Sequence, residues 1–174
     1  LIRGRPLSRS LRAAGLREAG MSLGLMHRDL HIRPSEGLPR ASGIYERPLR
    51  EFPGLKPDLR KRVLSWFRGR RDDRLCHGAF YPGNVLQTAG EWRLISWNKA
   101  FAGDPLCDIA RTMELFGRRS SLSRWYLKGY FGKEETPDQD LERWRLLSIL
   151  ASPSTANANP LRRTMMVRSL RRFF

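Results

Sequence analysis

The chain has 174 residues, 40% of them hydrophobic and 29% charged, with 33 basic residues against 17 acidic ones and a formal net charge of +16. That length suits one domain with its own core. No apolar run reaches the roughly 18–20 residues of a membrane-spanning helix, and no signal peptide is visible. Of the basic residues, 28 are arginine and they are spread along the whole chain. The charge therefore reads as compositional rather than as a built surface for nucleic acid or an anionic membrane, while leaving both partners open.

In chain order, Leu16, Ala19, Leu23, Met26 and Leu30 recur at helical spacing, despite Gly20 and Gly24. Within this helix His27-Arg28-Asp29-Leu30 imitates a protein-kinase catalytic loop, but Pro34 fills the slot of its metal-binding asparagine. His27 and His31 would share a helix face as zinc ligands do. Arg28 stands where a metalloprotease has its glutamate and no third ligand is evident, so both read as ordinary helix histidines. Pro34 to Pro57 is rich in proline and glycine and reads as a long connection with room for one short helix. Asp58 to Arg68 carries Leu59, Val63, Trp66 and Phe67 on one face of a helix.

The stretch 76–110 is the densest in signal. His77-Gly78 and Pro82-Gly83 are turn pairs, and Asn84 follows at once with a side-chain oxygen suited to a hard cation. Val85 to Thr88 reads as a strand, Ala89-Gly90-Glu91 as a turn and Trp92 to Trp97 as the returning strand, a hairpin that brings Asn84 beside Ser96. Asp104 before Pro105 is a helix start, with Ile109, Met113 and Phe116 as its apolar stripe. Asp108 in the first turn suits the helix dipole. Cys76 and Cys107 lack zinc or redox spacing and read as buried, reduced thiols, which suits the cytoplasm. Helices follow over Leu122–Tyr130 and Asp140–Leu150, then a polar loop from Ser152 to Pro160. Leu161 to Phe174 is a basic amphipathic helix, expected to pack on the domain with its basic face in water rather than on a membrane.

The order His77-Gly78, Pro82-Gly83-Asn84, Ile95, Trp97, Gly103-Asp104-Pro105, Asp108 and Ala110 resembles the aminoglycoside phosphotransferase family, which is itself similar to choline and homoserine kinases. Gly4 to Leu7 resembles the segment after the family's inter-lobe hinge, Leu23 to His31 its helix ending in Leu-His, and Leu141 to Trp144 a late helix. The resemblance implies a mainly α fold with a small β-hairpin, the C-terminal lobe of a protein-kinase-like enzyme. It implies a reaction moving the γ-phosphate of ATP to a hydroxyl of a small molecule, with magnesium as cofactor. It makes residues 1–174 a single domain in which the family's N-terminal nucleotide lobe is absent.

The departures carry equal weight. Ala79 stands where the family has its catalytic aspartate, and a methyl group cannot take a proton. Ser96 stands where the family has its metal-holding aspartate, and Tyr81 replaces a histidine. Asn84 alone remains of the metal pair. His77 is expected to serve loop structure, and Asp104 and Asp108 to serve capping and dipole compensation. The resemblance thus implies a degenerate or truncated member with little or no activity, in which ATP and magnesium are cofactors of the family rather than of this chain. The alternatives are an active phosphotransferase within a longer chain or complex, using another carboxylate, and a non-catalytic basic module.

Overall fold

A computed structural model of the chain describes residues 4–8, 15–88, 91–117, 120–152 and 160–174. The expected turn at Ala89 and Gly90, and positions 153–159 of the expected polar loop, lie outside the described residues. Seven helices are present among those described: α1 (Leu16–His31), α2 (Ala41–Glu51), α3 (Pro57–Arg68), α4 (Pro105–Phe116), α5 (Ser121–Phe131), α6 (Asp138–Leu150) and α7 (Pro160–Phe173). Five short strands accompany them: β1 (Arg5–Pro6), β2 (Arg74–Cys76), β3 (Val85–Gln87), β4 (Trp92–Leu94) and β5 (Phe101–Gly103). The fold is mainly helical with small antiparallel sheets, as expected.

The glycines of α1 explain themselves at the α1–α5 contact. A Cβ on Gly24 would stand 2.2 Å from the Tyr126 carbonyl oxygen, and one on Gly129 would stand 2.3 Å from that of Met21. The two backbones touch, which glycine alone permits. That approach brings the α1 histidines against α5 tyrosines 99 positions away. Elsewhere the core forms around Trp144 of α6, whose ring meets Tyr45 of α2 and Phe67 of α3 edge-on at 5.9 and 5.8 Å. Leu23, Leu49, Val63, Ile109, Leu147 and Leu170 fill the space between them with no exposure, each contributing roughly 1.5–3 kcal/mol by leaving water.

β3 and β4 form the expected hairpin, with Val85 opposite Leu94 and Gln87 opposite Trp92, and β1 adds a third strand beside β3. The returning strand ends at Leu94 rather than Trp97, because Ser96 adopts left-handed angles (φ 67°, ψ 52°) and a short 3-10 turn follows at Trp97–Lys99. A second pairing, β2 with β5, sets Cys76 opposite Phe101. The connection between Pro34 and Pro57 contains α2, with Pro48 inside it and Tyr45 and Leu49 turned to the core. On α7, Met166, Val167 and Leu170 are buried while Leu161 and Met165 are exposed. The helix packs on the domain, with a face rotated from the Leu161–Met165–Leu170–Phe173 stripe of the sequence. Both cysteines are buried and free, and no described helix is long and apolar enough to cross a membrane.

Candidate functional site

The loop that leaves β2 carries His77, Gly78 and Ala79. Gly78 has φ +73°, and a Cβ there would lie 2.1 Å from the Lys99 carbonyl oxygen, so both the angle and the space require glycine. The loop's backbone is held by one side chain. Asp108 Oδ2 accepts from His77 N at 2.5 Å, and Oδ1 accepts from Gly78 N at 3.0 Å.

Asp108 is fully buried, and its surroundings account for its charge. Nε2 of His27 lies 3.0 Å and Nε2 of His31 lies 3.5 Å from Oδ2. The opposite ring nitrogens meet tyrosine hydroxyls: His27 Nδ1 with Tyr126 at 2.6 Å, His31 Nδ1 with Tyr130 at 2.8 Å. An ionised carboxylate only accepts, so both Nε2 atoms carry the proton and both hydroxyls donate to Nδ1. Burial acts to raise the Asp108 carboxyl; the two histidines and their hydrogen bonds outweigh it and hold it well below the usual carboxylate range. His27 is pushed down to about 4, by burial first and by the neighbouring His31 second, against the pull of Asp108. The His27 ring also lies flat on Phe80, centroid to centroid 3.9 Å.

Asp108 is therefore more than the dipole-compensating residue expected. It is the anchor of the 77–79 loop. His27 and His31 are likewise more than ordinary helix histidines, and a third group does stand beside them. His27, His31 and Asp108 bring potential ligand atoms within 4.8 Å of one another. Every one of those atoms already has a hydrogen-bond partner, so the trio is complete as a network without a metal. The signal for it was the spacing: His27 and His31 on α1 and Tyr126 and Tyr130 on α5 are both pairs four apart, each on one helix face.

His77 stitches the loop to the hairpin. Its Nε2 donates to the Ile95 carbonyl at 2.9 Å, its Nδ1 accepts from Ala79 N at 3.2 Å, and its ring meets Trp97 edge-on at 4.8 Å. Burial lowers its basicity. Both nitrogens are thus committed to backbone. Asn84 sits in a 3-10 turn at Pro82–Asn84; its Nδ2 donates to the Ala79 carbonyl at 2.9 Å, and its own carbonyl accepts from Ile95 N at 2.9 Å. The sequence positions His77, Ala79, Asn84 and Ser96 are in this way tied together through Ile95 and the loop. Asp104 stands apart as the N-cap of α4, Oδ1 accepting from Leu106 N at 2.8 Å. Burial raises its pKa.

The donor set does not fit magnesium. It offers one amide oxygen on Asn84 and one neutral hydroxyl on Ser96, where a magnesium site of this kind uses one or two carboxylates. Of the carboxylates nearby, Asp108 is spent on the loop and Asp104 on its helix. A third, Glu114 on α4, lines the cavity of about 610 Å³ beside Ala79 together with Tyr81, Lys99 and Arg111. Glu114 lies 3.7 Å from the Arg145 guanidinium.

The family model described as phosphotransferase enzyme family matches residues 1–147. No curated protein is similar enough in sequence to match. Among solved structures, an aminoglycoside-3'-phosphotransferase of type VIII superposes with a TM-score of 0.59 at 21% identity, covering 86% of this chain and 66% of its own. A choline/ethanolamine kinase family protein from Mesorhizobium loti gives 0.58 at 18% identity, covering 96% and 65%. A spectinomycin phosphotransferase solved with ADP and spectinomycin gives 0.54 at 14% identity, covering 100% and 66%. These likenesses establish the fold. The chain spans less than two thirds of the length of each of the three.

Proposed function

This chain belongs to the phosphotransferase enzyme family, and from that premise we propose that it keeps the family's acceptor-side scaffold without its phosphoryl-transfer chemistry. The observation that carries this reading is the state of the 77–79 loop. The loop is fully anchored by Asp108, His77 and Asn84, yet the side chain it presents at the base position is the methyl of Ala79. Phosphoryl transfer depends on positioning and on charge stabilisation by carboxylates and metal. With Ala79 and Ser96 in place, neither proton removal from a hydroxyl nor metal retention has a group to perform it. ATP with magnesium is the family's co-substrate by resemblance; here it would meet a site lacking both aspartates.

The remaining chemistry is binding. The cavity beside Ala79 would hold a small molecule next to a loop that orients without reacting. A second reading has one observation in its favour. Glu114 lines the same cavity, so an active transferase using it as surrogate base, in a longer chain or a complex, is the rival. Calorimetry with magnesium-ATP separates the two. Heat of binding at micromolar affinity that disappears on Asn84→Ala favours the rival, and no heat beyond dilution favours the scaffold.

A further inference from the structure

The cavity beside Ala79 has more basic than acidic side chains in its lining. Two cations line it, Arg111 of α4 and Lys99 of the 3-10 turn. Among the described residues neither forms an ion pair. The Arg111 guanidinium donates through one nitrogen to the Tyr45 hydroxyl at 3.2 Å. That hydroxyl is buried and also accepts from the Cys107 thiol at 3.1 Å. A guanidinium has five N–H donors in a flat fork, so most of those of Arg111 are left for something else. Its one direct hydrogen-bond partner is neutral, and an anion in the cavity would satisfy the rest of the fork.

Asp108, one turn back on α4, acts on Arg111 through space, but its oxygens are taken up by the 77–79 loop and His27. The two aspartate positions are Ala79 and Ser96, and Glu114, the acid in the lining, is 3.7 Å from Arg145. Ile44, Leu115 and Ile149 supply an apolar wall. A volume of about 610 Å³ is ample for a small molecule.

We propose that this cavity binds a small molecule with an apolar body and an oxyanion, a phosphomonoester or a carboxylate, anchored by Arg111 and Lys99. Arg111 is the specificity-determining residue, since its fork matches the two oxygens of either group. The proposal takes its location from the reading above but needs no turnover. It is tested without ATP, so its failure is distinct from the discovery of activity.

The test is a titration of the full chain with phenyl phosphate, phenylacetate and benzylamine, which share an aromatic body and differ in charge. One or both anions should bind and benzylamine should not; the two anions compared identify the head group. Arg111→Gln should weaken anion binding roughly ten-fold, as loss of a charged hydrogen bond does. Lys99→Gln should weaken it about three-fold, and being at the surface it keeps the test valid if Arg111→Gln folds poorly. Arg124→Gln, on α5 outside this cavity, should change nothing. Tighter binding of benzylamine, equal losses from Arg124→Gln, or full affinity in Lys99→Gln with Arg111→Gln would overturn the proposal.

Discussion

Nε2 of His27 stands 3.0 Å from Oδ2 of Asp108, joining residues 81 positions apart in the chain. Through that contact the interior of α1 controls the backbone of the 77–79 loop, since the same carboxylate holds His77 N and Gly78 N. The loop's backbone is held by an anchor that is buried and hydrogen-bonded.

The buried pair makes stability depend on pH in a defined window. His27 has a folded pKa of about 4 against roughly 6.5 when unfolded. The unfolded chain therefore takes up a proton that the folded one refuses. Its contribution is complete above pH 6.5 and is lost as pH falls from about 6.5 to 4, amounting to on the order of 3 kcal/mol. His77, also lowered by burial, acts in the same direction. Urea melts across this range should show falling stability, and His27→Gln should flatten most of the slope. An unaltered slope in that variant means that His27 is not the titrating group.

Asp104 is a cap, and its loss should show as such. Asp104→Ala removes the acceptor for Leu106 N and should cost about 0.5–2 kcal/mol, while Asp104→Asn should keep most of it. Equal midpoints for wild type and the alanine variant would contradict the capping role.

The two kinds of helix glycine should behave oppositely. Gly24→Ala drives a methyl into the Tyr126 carbonyl, a backbone atom that cannot swing aside, and should destabilise by about 1–3 kcal/mol or more. Gly43, inside α2, has nothing within 4 Å of a built Cβ. Gly43→Ala should stabilise by roughly 0.5–1 kcal/mol through helix propensity. Paired thermal melts check both; the same sign for the two would refute the close-contact explanation.

Restoring one carboxylate should restore metal more at one position than at the other. Ser96 neighbours Ile95, which is hydrogen-bonded to the Asn84 carbonyl, and its left-handed angles are tolerated by aspartate. Ser96→Asp should raise manganese affinity, read by relaxation or calorimetry, more than Ala79→Asp does. Equal effects, or none, would count against Ser96 as the former metal position.

Local signals in the sequence were enough for what local chemistry decides. Asp104-Pro105 marks a helix start by its own side chains, and the hairpin of β3 and β4 is bounded by its own turn residues. What escaped is non-local. β2 and β5 have three residues each, too few to show an alternating pattern, and they pair across 24 intervening positions of loop and hairpin. Serine at φ 67° has no sequence mark, so the pattern predicts a strand three residues longer than β4. The short helix allowed between Pro34 and Pro57 is α2, but Pro48, which sits inside it without breaking it, hides its bounds. The anchoring network needed α1, α4 and α5 assembled, and nothing along the chain joins His27 to Asp108. The resemblance points to positions 79 and 96 but offers no view of Arg111 and Lys99 lining the cavity.

Transfer of labelled γ-phosphate from magnesium-ATP, to water and to small hydroxyl compounds, tests the loss of chemistry most directly. The wild type should match the protein-free blank, as should Asn84→Ala and Glu114→Gln. Removing a base and a metal site together costs of order 10³-fold or more in rate, well below detection for an enzyme of ordinary turnover. Steady transfer by the wild type that falls on Asn84→Ala or Glu114→Gln would contradict the reading, and a fall on Glu114→Gln would make Glu114 the surrogate base.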